Sequence, residues 1–498
     1  MDTTLRDGEQ TSGVSFSAHE KLSLAKILLE NVRVDRLEVA SAKVSDGEFQ
    51  SVKKITAWAK EHGHLNQIEV LGFVDGKVSV DWITGAGGRV INLLAKGSQR
   101  HVERQLRKTP EEHLSDIQAV IAYAATQNVE VNIYLEDWSN GMVNSPDYVF
   151  FMVDGLKDSE IKRFMLPDTL GLLNPDQTYD FCHQMVTRYP RLWFDFHAHN
   201  DYDLAAANVF SAVKAQVHGI HATVNGMGER AGNVPLSSVI GVIHDQLKQT
   251  THIEESYINK VSRIVETYSG VRIPANKPVI GEFVFTQTAG IHADGDSKDN
   301  LYYNDLLPER FGRTREYALG KTSGKANIQK NLQELGISLD QDDMKRVTNK
   351  IIELGDKKER VTKEDLPFII SDVLGNDHGK HEIEVVNYSL SLTHGLKPVG
   401  TVRLNIKGEI YQETSVGDGQ YNAFVKAVWS IYKRLGKQHP TLIDYSVTIP
   451  PGGHTDALVE TTILWSFNGK EFKTRGLDAD QTEAAIQATI KMLNIIEE

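Results

Sequence analysis

The sequence predicts an α/β protein built in two different parts, and three observations carry that prediction. Short apolar or β-branched runs alternate with segments of helical periodicity over the first two-thirds of the chain. Together with an N-terminal DTTLRD segment these runs make eight strands, the count of a (β/α)8 TIM barrel. After a helical linker region, a repeated three-strand plus helix pattern predicts an α+β C-terminal domain with an internal repeat.

The barrel elements follow one another in regular order. After DTTLRD, the predicted strands lie at 34–41, 68–73, 89–96, 129–137, 163–169, 193–200 and 219–226. Helix starts are marked by the capping boxes Ser17–Glu20 and Thr109–Glu112 and by the first-turn prolines Pro110, Pro146 and Pro175. Because Met1 falls inside the first predicted strand, we expect either a native start upstream or an unusually short first strand.

The alternative fold is an open doubly wound sheet, and glycine-rich segments are its best support. GMGERAG at 226–232 resembles a dinucleotide-binding fingerprint but has one residue too many between its second and third glycines. GKTSGK at 320–325 resembles a phosphate-binding loop but lacks the glycine five residues before Gly320. The barrel is therefore favoured over the open sheet.

The last third of the chain predicts three further segments. We expect the barrel at 1–265, a first linker subdomain at 266–330, a helical second linker subdomain at 331–375 and the repeat domain at 380–498, with NDHGKH as the connection. The first repeat has predicted strands at 381–393, 398–407 and 409–415 and a helix at 420–435. The second has strands at 442–449, 457–466 and 471–476 and a helix at 479–494.

Composition narrows the class of protein. A net charge of -13 argues against nucleic acid or an anionic membrane as the main partner. The single cysteine, Cys182, excludes a disulfide framework and fits a reducing compartment. No apolar run approaches the length of a membrane span. We therefore expect a cytoplasmic protein.

The segment FDFHAHND at 194–201 predicts half of a metal site. On a strand, His197 and His199 point to one face while Phe194, Phe196 and Ala198 point to the other. One histidine in a hydrogen-bonded core position is the alternative interpretation, because two histidines at this spacing are a weak pattern. The partner residues must come from elsewhere in the chain.

Polar residues at the other predicted strand ends supply such partners. We expect them to converge on the C-terminal mouth of the barrel, where active sites of this fold lie. The residues are Arg6, Asp7, Gly8, Glu9 and Gln10, then Glu136 and Asp137, Asp168 and Thr169, and Glu229 to Asn233. Asp7, His197 and His199 make a three-ligand set of the composition found in catalytic metal sites. Arg6 beside Asp7 would suit an oxygen that becomes negative during reaction, such as a ketone turning into an alkoxide.

Four ordered motifs resemble a known family. DTTLRDGEQ, FHAHND, NGMGERAGN and TAGIHADGD are similar to the signature segments of the α-isopropylmalate, homocitrate and citramalate synthases. These are metal-dependent barrel enzymes of acetyl-CoA condensation, and the resemblance covers essentially the whole chain. The segments LGFVDG, IYLEDWSNG, NSPDYV, FTQTAG, LPERFGR and EDLPFII resemble the citramalate branch in detail.

The resemblance implies a role for particular residues. Asp7, His197 and His199 match ligands of a divalent metal (Mn, Mg or Zn), and Asn233 is close enough to complete the shell. Arg6 matches the residue that steadies the keto oxygen, and Thr169 the hydroxyl that holds the substrate carboxylate. Glu136 matches an acid that orients the acetyl group or activates water; His292 and Tyr302 match residues that reach over the partner subunit's barrel, although Tyr303 beside Tyr302 leaves a choice.

The implied reaction is a Claisen-type condensation of acetyl-CoA with a 2-oxo acid, with either His292 or Glu136 as the base. Leu71 and Tyr134 would narrow the pocket beside the ketone, which favours pyruvate over the 2-oxoisovalerate of a 2-isopropylmalate synthase. The alternative interpretation is that both residues only pack in the core of the barrel. Gln10 would hydrogen-bond the same substrate or cap its loop.

The repeat domain resembles the dimeric regulatory domain of these synthases, in which an end-product amino acid binds between protomers. For the citramalate branch the implied effector is isoleucine and the implied assembly a homodimer. VGDG at 416–419 and PPGGHTDA at 450–457 would let backbone amides approach its carboxylate. A metal hydrolase, a CoA-ester lyase and a catalytically silent amino-acid sensor are the competing functions; the lyase would be expected to offer a reactive cysteine, whereas Cys182 falls within a predicted helix.

Overall fold

The computed structural model of the chain describes residues 1–298, 301–302, 304–356, 361–374, 383–448 and 459–497. The chain forms two compact units, the first made of Met1–Thr286 and Tyr303–Glu316 and the second of Gln287–Tyr302 and Tyr317–Glu498. The division expected at 265, 330 and 375 stays a prediction. Among the described residues no helix is long and apolar enough to cross a membrane.

The first unit is built around a parallel sheet of seven strands, paired in chain order from the first to the last. Each strand lies within two or three residues of a predicted one, except that the predicted strand 219–226 ends at His221. The strands are β1 (Leu37–Ser41), β2 (Ile68–Phe73), β3 (Val90–Lys96), β4 (Glu130–Glu136), β5 (Ile161–Asp168), β6 (Phe194–Ala198) and β7 (Gly219–His221).

The N-terminal segment closes this sheet into a ring without forming a full strand. Asp2 makes parallel bridges to Leu37 on one side and to Ala222 on the other. The chain then turns, since the backbone amides of Arg6 and Gly8 both donate to the carbonyl of Thr3. DTTLRD is thus a one-residue bridge rather than the predicted strand, and the closed ring excludes the open doubly wound sheet. The early turn leaves Arg6 and Asp7 at the barrel mouth.

Helices alternate with the strands as predicted. Both expected capping boxes are formed, with Ser17 accepting from the amide of Glu20 and Thr109 from that of Glu112. The helices are α1 (Ala18–Lys26), α2 (Asp46–Glu61), α3 (Val78–Gly85), α4 (Gln99–His101), α5 (Pro110–Thr126), α6 (Trp138–Asn144), α7 (Pro146–Leu156), α8 (Pro175–Arg188), α9 (Ala205–Lys214), α10 (Leu236–Gly241) and α11 (Ile258–Ser269). Their apolar faces pack on the outward side of the strands and form the main core.

Short strands and linker helices follow the barrel along the chain. They are β8 (Thr286–Gln287), α12 (Gly290–Ser297), β9 (Glu316–Tyr317), α13 (Lys325–Glu334), α14 (Gln341–Asp356) and α15 (Leu366–Leu374). Ile328, Val347 and Leu366 lie at the centre of a separate apolar core made by the last three helices. The predicted connection NDHGKH lies outside the described residues.

The predicted internal repeat is present in the C-terminal part of the second unit. Each copy is an antiparallel three-stranded sheet followed by a helix that packs against it. The first copy is β10 (Ile383–Ser391), β11 (Val399–Ile406), β12 (Glu409–Val416) and α16 (Gln420–Arg434); the second is β13 (Thr441–Thr448), β14 (Val459–Phe467), β15 (Lys470–Asp478) and α17 (Gln481–Glu497). One core joins both copies, with Phe424, Tyr432, Trp465 and Met492 fully buried in it.

Candidate metal and substrate site

Three side chains from distant parts of the chain meet at the barrel mouth. On β6, Phe194, Phe196 and Ala198 pack in the main core while His197 alternates with them. His199 directly follows the strand, and the turn after Thr3 brings Asp7 to both histidines. Asp7 Oδ2 lies 3.4 Å from His197 Nε2 and 3.9 Å from His199 Nε2. All three side chains are buried.

The surroundings hold Asp7 and His199 in the protonation states that bind a cation. Burial alone would raise the pKa of Asp7, but the Arg6 guanidinium and His197 outweigh it and hold that pKa well below its ordinary value. Burial and the neighbouring His197 lower the pKa of His199 to about 4. At neutral pH the site therefore offers a carboxylate oxygen and a neutral imidazole, the forms that a metal requires.

The geometry fits a shared divalent cation. One ligand atom from each of the three residues can be chosen so that all lie within 4.8 Å of one another. Ligands about 2.1 Å from one ion stand about 3.0–3.5 Å apart, close to the spacing of Asp7 and His197. The Nδ1 atoms of His197 and His199 and the Oδ1 atom of Asn233 are buried without a hydrogen-bond partner in the described part of the chain. Such orphaned polar atoms are unusual in a purely structural site.

Asn233 lies against Asp7 and forms an antiparallel backbone bridge with His199. Its Nδ2 donates to Asp7 Oδ1 and to the carbonyl of Met227, both at 2.9 Å. Only glycine fits at position 228, because its φ is +148° and a Cβ there would collide with the Asn233 amide. The NGMGERAGN motif is thus a loop shaped around the carboxylate of Asp7.

Arg6 is a fixed cation beside this carboxylate. Its Nη1 donates to Asp7 Oδ2 at 2.8 Å and its Nε donates to Glu38 Oε2 at 2.5 Å. Its Nη2 lies 3.3 Å from the Tyr134 hydroxyl. The guanidinium is therefore locked from three sides at the edge of the candidate metal site.

Thr169 follows β5 and is positioned by two backbone contacts. Its Oγ1 accepts a hydrogen bond from the amide of Asp137 at 2.9 Å, which leaves its own proton available. Arg230 donates to the Thr169 carbonyl at 2.7 Å while pairing with both oxygens of Asp201. Asp137 itself has a left-handed backbone with φ of +65°. Three mouth loops are thereby tied together around the Thr169 hydroxyl.

Glu136 ends β4 and pairs with Lys96, which ends β3 directly opposite it in the register. The Glu136 side chain keeps 25% of its surface exposed, whereas that of Lys96 keeps 10%. The ion pair with the more buried Lys96 thus holds the Glu136 side chain at the barrel mouth, where part of it remains accessible.

An apolar wall lies below these groups inside the barrel. Leu71 and Tyr134 share a cluster with Met165, and Met1 and Leu94 pack against it. The two residues expected to narrow the pocket are thus in one cluster, and Met165, Met1 and Leu94 are three wall residues that the sequence did not suggest. Gln10 is exposed in the turn after Asp7.

The remaining predicted residues lie in the second unit. His292 and Tyr302 pack with their ring centroids 4.3 Å apart. Tyr303 and the whole of PPGGHTDA lie outside the described residues. In the first unit, Cys182 is fully buried in α8 and burial raises the pKa of its thiol, so it is no reactive cysteine of the kind a lyase would be expected to use.

Three buried acids were missed by sequence reasoning. Glu38, Glu69 and Asp195 each stand alone in an apolar strand and point into the barrel. Glu38 holds Arg6, while Glu69 and Asp195 pair with Arg36 at the barrel floor. A single acid within a buried strand requires a partner, and that signal was available in VDRLEVAS, IEVLGF and FDFHAH.

Comparison with known proteins gives the same picture. The HMGL-like family model matches residues 1–265, the homocitrate synthase post-HMGL domain-like model 279–359, and the LeuA allosteric (dimerisation) domain model 360–497. The chain is 32% identical to an (R)-citramalate synthase of Methanocaldococcus jannaschii, covering 100% of this chain and 99% of that protein. It is 31% identical to a 2-isopropylmalate synthase of the same organism, covering 100% of this chain and 94% of that protein.

A solved structure of hydroxymethylglutaryl-CoA lyase from Pseudomonas aeruginosa is 18% identical, with a TM-score of 0.46, over 55% of this chain and 93% of that one. The family models and the full-length relatives confirm the resemblance that the four motifs carry. The chain therefore belongs to the HMGL-like family of α-isopropylmalate, homocitrate and citramalate synthases.

Proposed function

We propose that this protein is a citramalate synthase, which condenses acetyl-CoA with pyruvate and hydrolyses the thioester to give (R)-citramalate and CoA for isoleucine biosynthesis. The observation that carries the proposal is the meeting of Asp7, His197 and His199 beside the locked guanidinium of Arg6. The alternative is a 2-isopropylmalate synthase of leucine biosynthesis, which would use 2-oxoisovalerate.

We propose Asp7, His197 and His199 as ligands of a divalent cation (Mn²⁺, Mg²⁺ or Zn²⁺), with the orphaned Asn233 Oδ1 available as a fourth oxygen. When bound, such a cation supplies a Lewis acid for the ketone of the 2-oxo acid. Asn233 also steadies Asp7 through its amide nitrogen, as outer-shell partners of metal ligands commonly do.

Arg6 is proposed to stabilise the ketone oxygen as it gains negative charge. Because Glu38, Asp7 and Tyr134 already fix the guanidinium, little reorganisation is needed during the reaction. Thr169 is proposed to donate its free hydroxyl proton to the substrate carboxylate, since its oxygen is already used by Asp137.

Glu136 is proposed to act on acetyl-CoA or on the hydrolytic water, with His292 as the other candidate for the base that removes the methyl proton. Lys96 supports the Glu136 assignment, because the ion pair holds the Glu136 side chain at the end of β4 while a quarter of its surface stays exposed. His292, Tyr302 and Gln10 are retained as proposed catalytic or substrate-binding residues on the family resemblance.

The preference for pyruvate is proposed from the apolar wall. Leu71, Leu94 and Tyr134 leave room beside the ketone for a methyl group, and a branched 2-oxo acid would have to displace them. The C-terminal repeat is proposed to form a homodimer and to bind isoleucine as feedback inhibitor.

The test measures free-thiol release from acetyl-CoA with pyruvate, 2-oxobutyrate, 2-oxoisovalerate or 2-oxoglutarate, each with and without a chelator. We expect pyruvate to give the highest kcat/KM and the chelator to abolish turnover. A higher kcat/KM for 2-oxoisovalerate would favour the alternative, a 2-isopropylmalate synthase. Turnover that a chelator leaves unchanged would show that the reaction needs no divalent cation. The variant Asp7→Asn serves as the matched inactive control.

A further inference from the structure

A column of buried polar side chains runs through the barrel from its floor to Arg6. Asp195 Oδ2 lies 3.2 Å from His221 Nε2, and His221 Nδ1 lies 3.1 Å from the Tyr134 hydroxyl. The Tyr134 hydroxyl in turn lies 3.3 Å from Arg6 Nη2. Asp195, His221 and Tyr134 are each at most 3% exposed.

With a neutral imidazole at His221, one set of hydrogen-bond directions satisfies every group in the column. A carboxylate only accepts, so His221 carries its proton on Nε2 and donates it to Asp195. The Nδ1 atom of His221 is then an acceptor and takes the proton of the Tyr134 hydroxyl. The Tyr134 oxygen consequently turns its lone pairs to Arg6, which can only donate.

The competing arrangement would disturb Arg6. Glu38 Oε2 lies 3.5 Å from the Tyr134 hydroxyl, so without His221 the hydroxyl would donate to Glu38 instead. That same oxygen is the acceptor of Arg6 Nε. His221 therefore keeps the Tyr134 proton away from the carboxylate that holds the guanidinium.

We propose that His221, backed by Asp195, is a positioning residue of the condensation, which orients the Tyr134 hydroxyl and through it the Arg6 guanidinium. Asp195 does not need this contact for its own sake, since it also accepts from Arg36 and from Trp193 Nε1. The inference rests on the proposed function, because Arg6 is assigned to the ketone oxygen there.

The test compares two substitutions of His221 in the full-length, metal-loaded protein. His221→Asn places an amide oxygen near the position of Nδ1 and keeps an acceptor for Tyr134, whereas His221→Leu removes it. We expect His221→Leu to lower kcat about 10- to 100-fold, the range seen when outer-shell partners are removed. The KM for pyruvate should stay within about threefold of that of the wild type, since a positioning group acts on the transition state, and His221→Asn should recover most of kcat.

A double-mutant cycle with Tyr134→Phe separates positioning from structural support. If His221 acts through the hydroxyl, His221→Leu has little further effect on kcat in the Tyr134→Phe background. Additive losses, or a loss of bound metal measured by metal titration of His221→Leu, would overturn the inference. A wild-type protein that releases no thiol with any of the four 2-oxo acids would overturn the proposed function and this inference together.

Discussion

Buried charged and polar groups line both the mouth and the floor of the barrel, but only those at the floor all have ion-pair or hydrogen-bond partners among the described residues named here. At the floor, Arg36 pairs with Glu69 and Asp195, and both ring nitrogens of His221 have partners. At the mouth, both histidines keep a buried Nδ1 without a partner among the described residues.

This difference distinguishes the floor, whose paired charges stabilise the barrel, from the mouth, whose unpartnered groups indicate a functional site. Buried charges that are fully paired among themselves lose a great deal when one partner is removed. Buried groups that lack a hydrogen-bond partner cost stability in the free protein, and they are retained where function requires the side chain. Substitutions at the two ends should therefore have opposite consequences.

The largest effect on stability is expected at the floor. Arg36→Met leaves the carboxylates of Glu69 and Asp195 buried without their cation, which should lower the free energy of unfolding by about 3–5 kcal/mol. Urea denaturation of the chelated protein measures it. The control Lys157→Met removes an exposed partner of Asp154 and should cost at most about 1 kcal/mol. An equal loss of unfolding free energy in the two variants would mean that the Arg36 ion pairs contribute no more to stability than an ion pair on the surface.

The mouth should show the reverse pattern. His199→Leu is expected to lower kcat/KM more than about 100-fold, beyond the usual effect of an outer-shell partner. The free energy of unfolding without metal should change by less than about 1 kcal/mol, or rise, because an unpartnered buried nitrogen is removed. Thiol release and urea denaturation measure the two quantities.

The control for this variant is an exposed histidine of the same barrel. His218 accepts a hydrogen bond from the amide of Phe194 and packs against the Trp193 ring, with 4.8 Å between the ring centroids. His218→Leu should lose stability and keep kcat/KM. If His199→Leu behaves in the same way, the mouth is a structural cluster and the metal assignment is wrong.

The comparison also explains what the sequence could and could not predict. Strand alternation was enough to place His197 and His199 on one face, and strand order was enough to bring Asp7 to them. The DTTLRD segment was wrongly expected to be a full strand, because the pattern gives no sign that the chain turns back on the Thr3 carbonyl.

Long-range pairs were beyond the pattern altogether. Arg36 and Asp195 are separated by 159 residues and meet only once the barrel has closed. Lys96 and Glu136 depend on the register of β3 against β4, which no local motif encodes. The lone acids in apolar strands could have been recognised, but the partner of each could not.

The apolar wall between mouth and floor should set the choice of 2-oxo acid. Leu71→Val removes one methylene from that wall and should raise kcat/KM for 2-oxobutyrate relative to pyruvate by about 10-fold, within the 1–3 kcal/mol that such a change is worth. The same substitution at Leu93, which is buried in the main core rather than in the wall cluster, is the control and should leave the ratio unchanged. A ratio that moves equally in both variants would assign selectivity to general loosening of the barrel.

The smallest expected effect concerns acid stability at the strand that carries Lys96. His113 Nε2 accepts from the Lys96 amide at 3.1 Å, and burial lowers the pKa of His113 from 6.5 to about 4. The unfolded chain therefore binds one more proton than the folded chain between those pH values, so the contribution of His113 is complete above pH 6.5 and is lost as the pH falls towards 4. His113→Gln keeps an acceptor that does not titrate and should match the wild type at pH 8.

At about pH 4.5 the same variant should exceed the wild type in free energy of unfolding by about 1–2 kcal/mol, because only the wild-type side chain must stay deprotonated to keep its hydrogen bond. Urea denaturation of the two proteins at both pH values measures this difference, and all other titrating groups cancel in it. Parallel curves at the two pH values would show that His113 is already charged in the fold, and would leave the end of β3 without its proposed neutral acceptor.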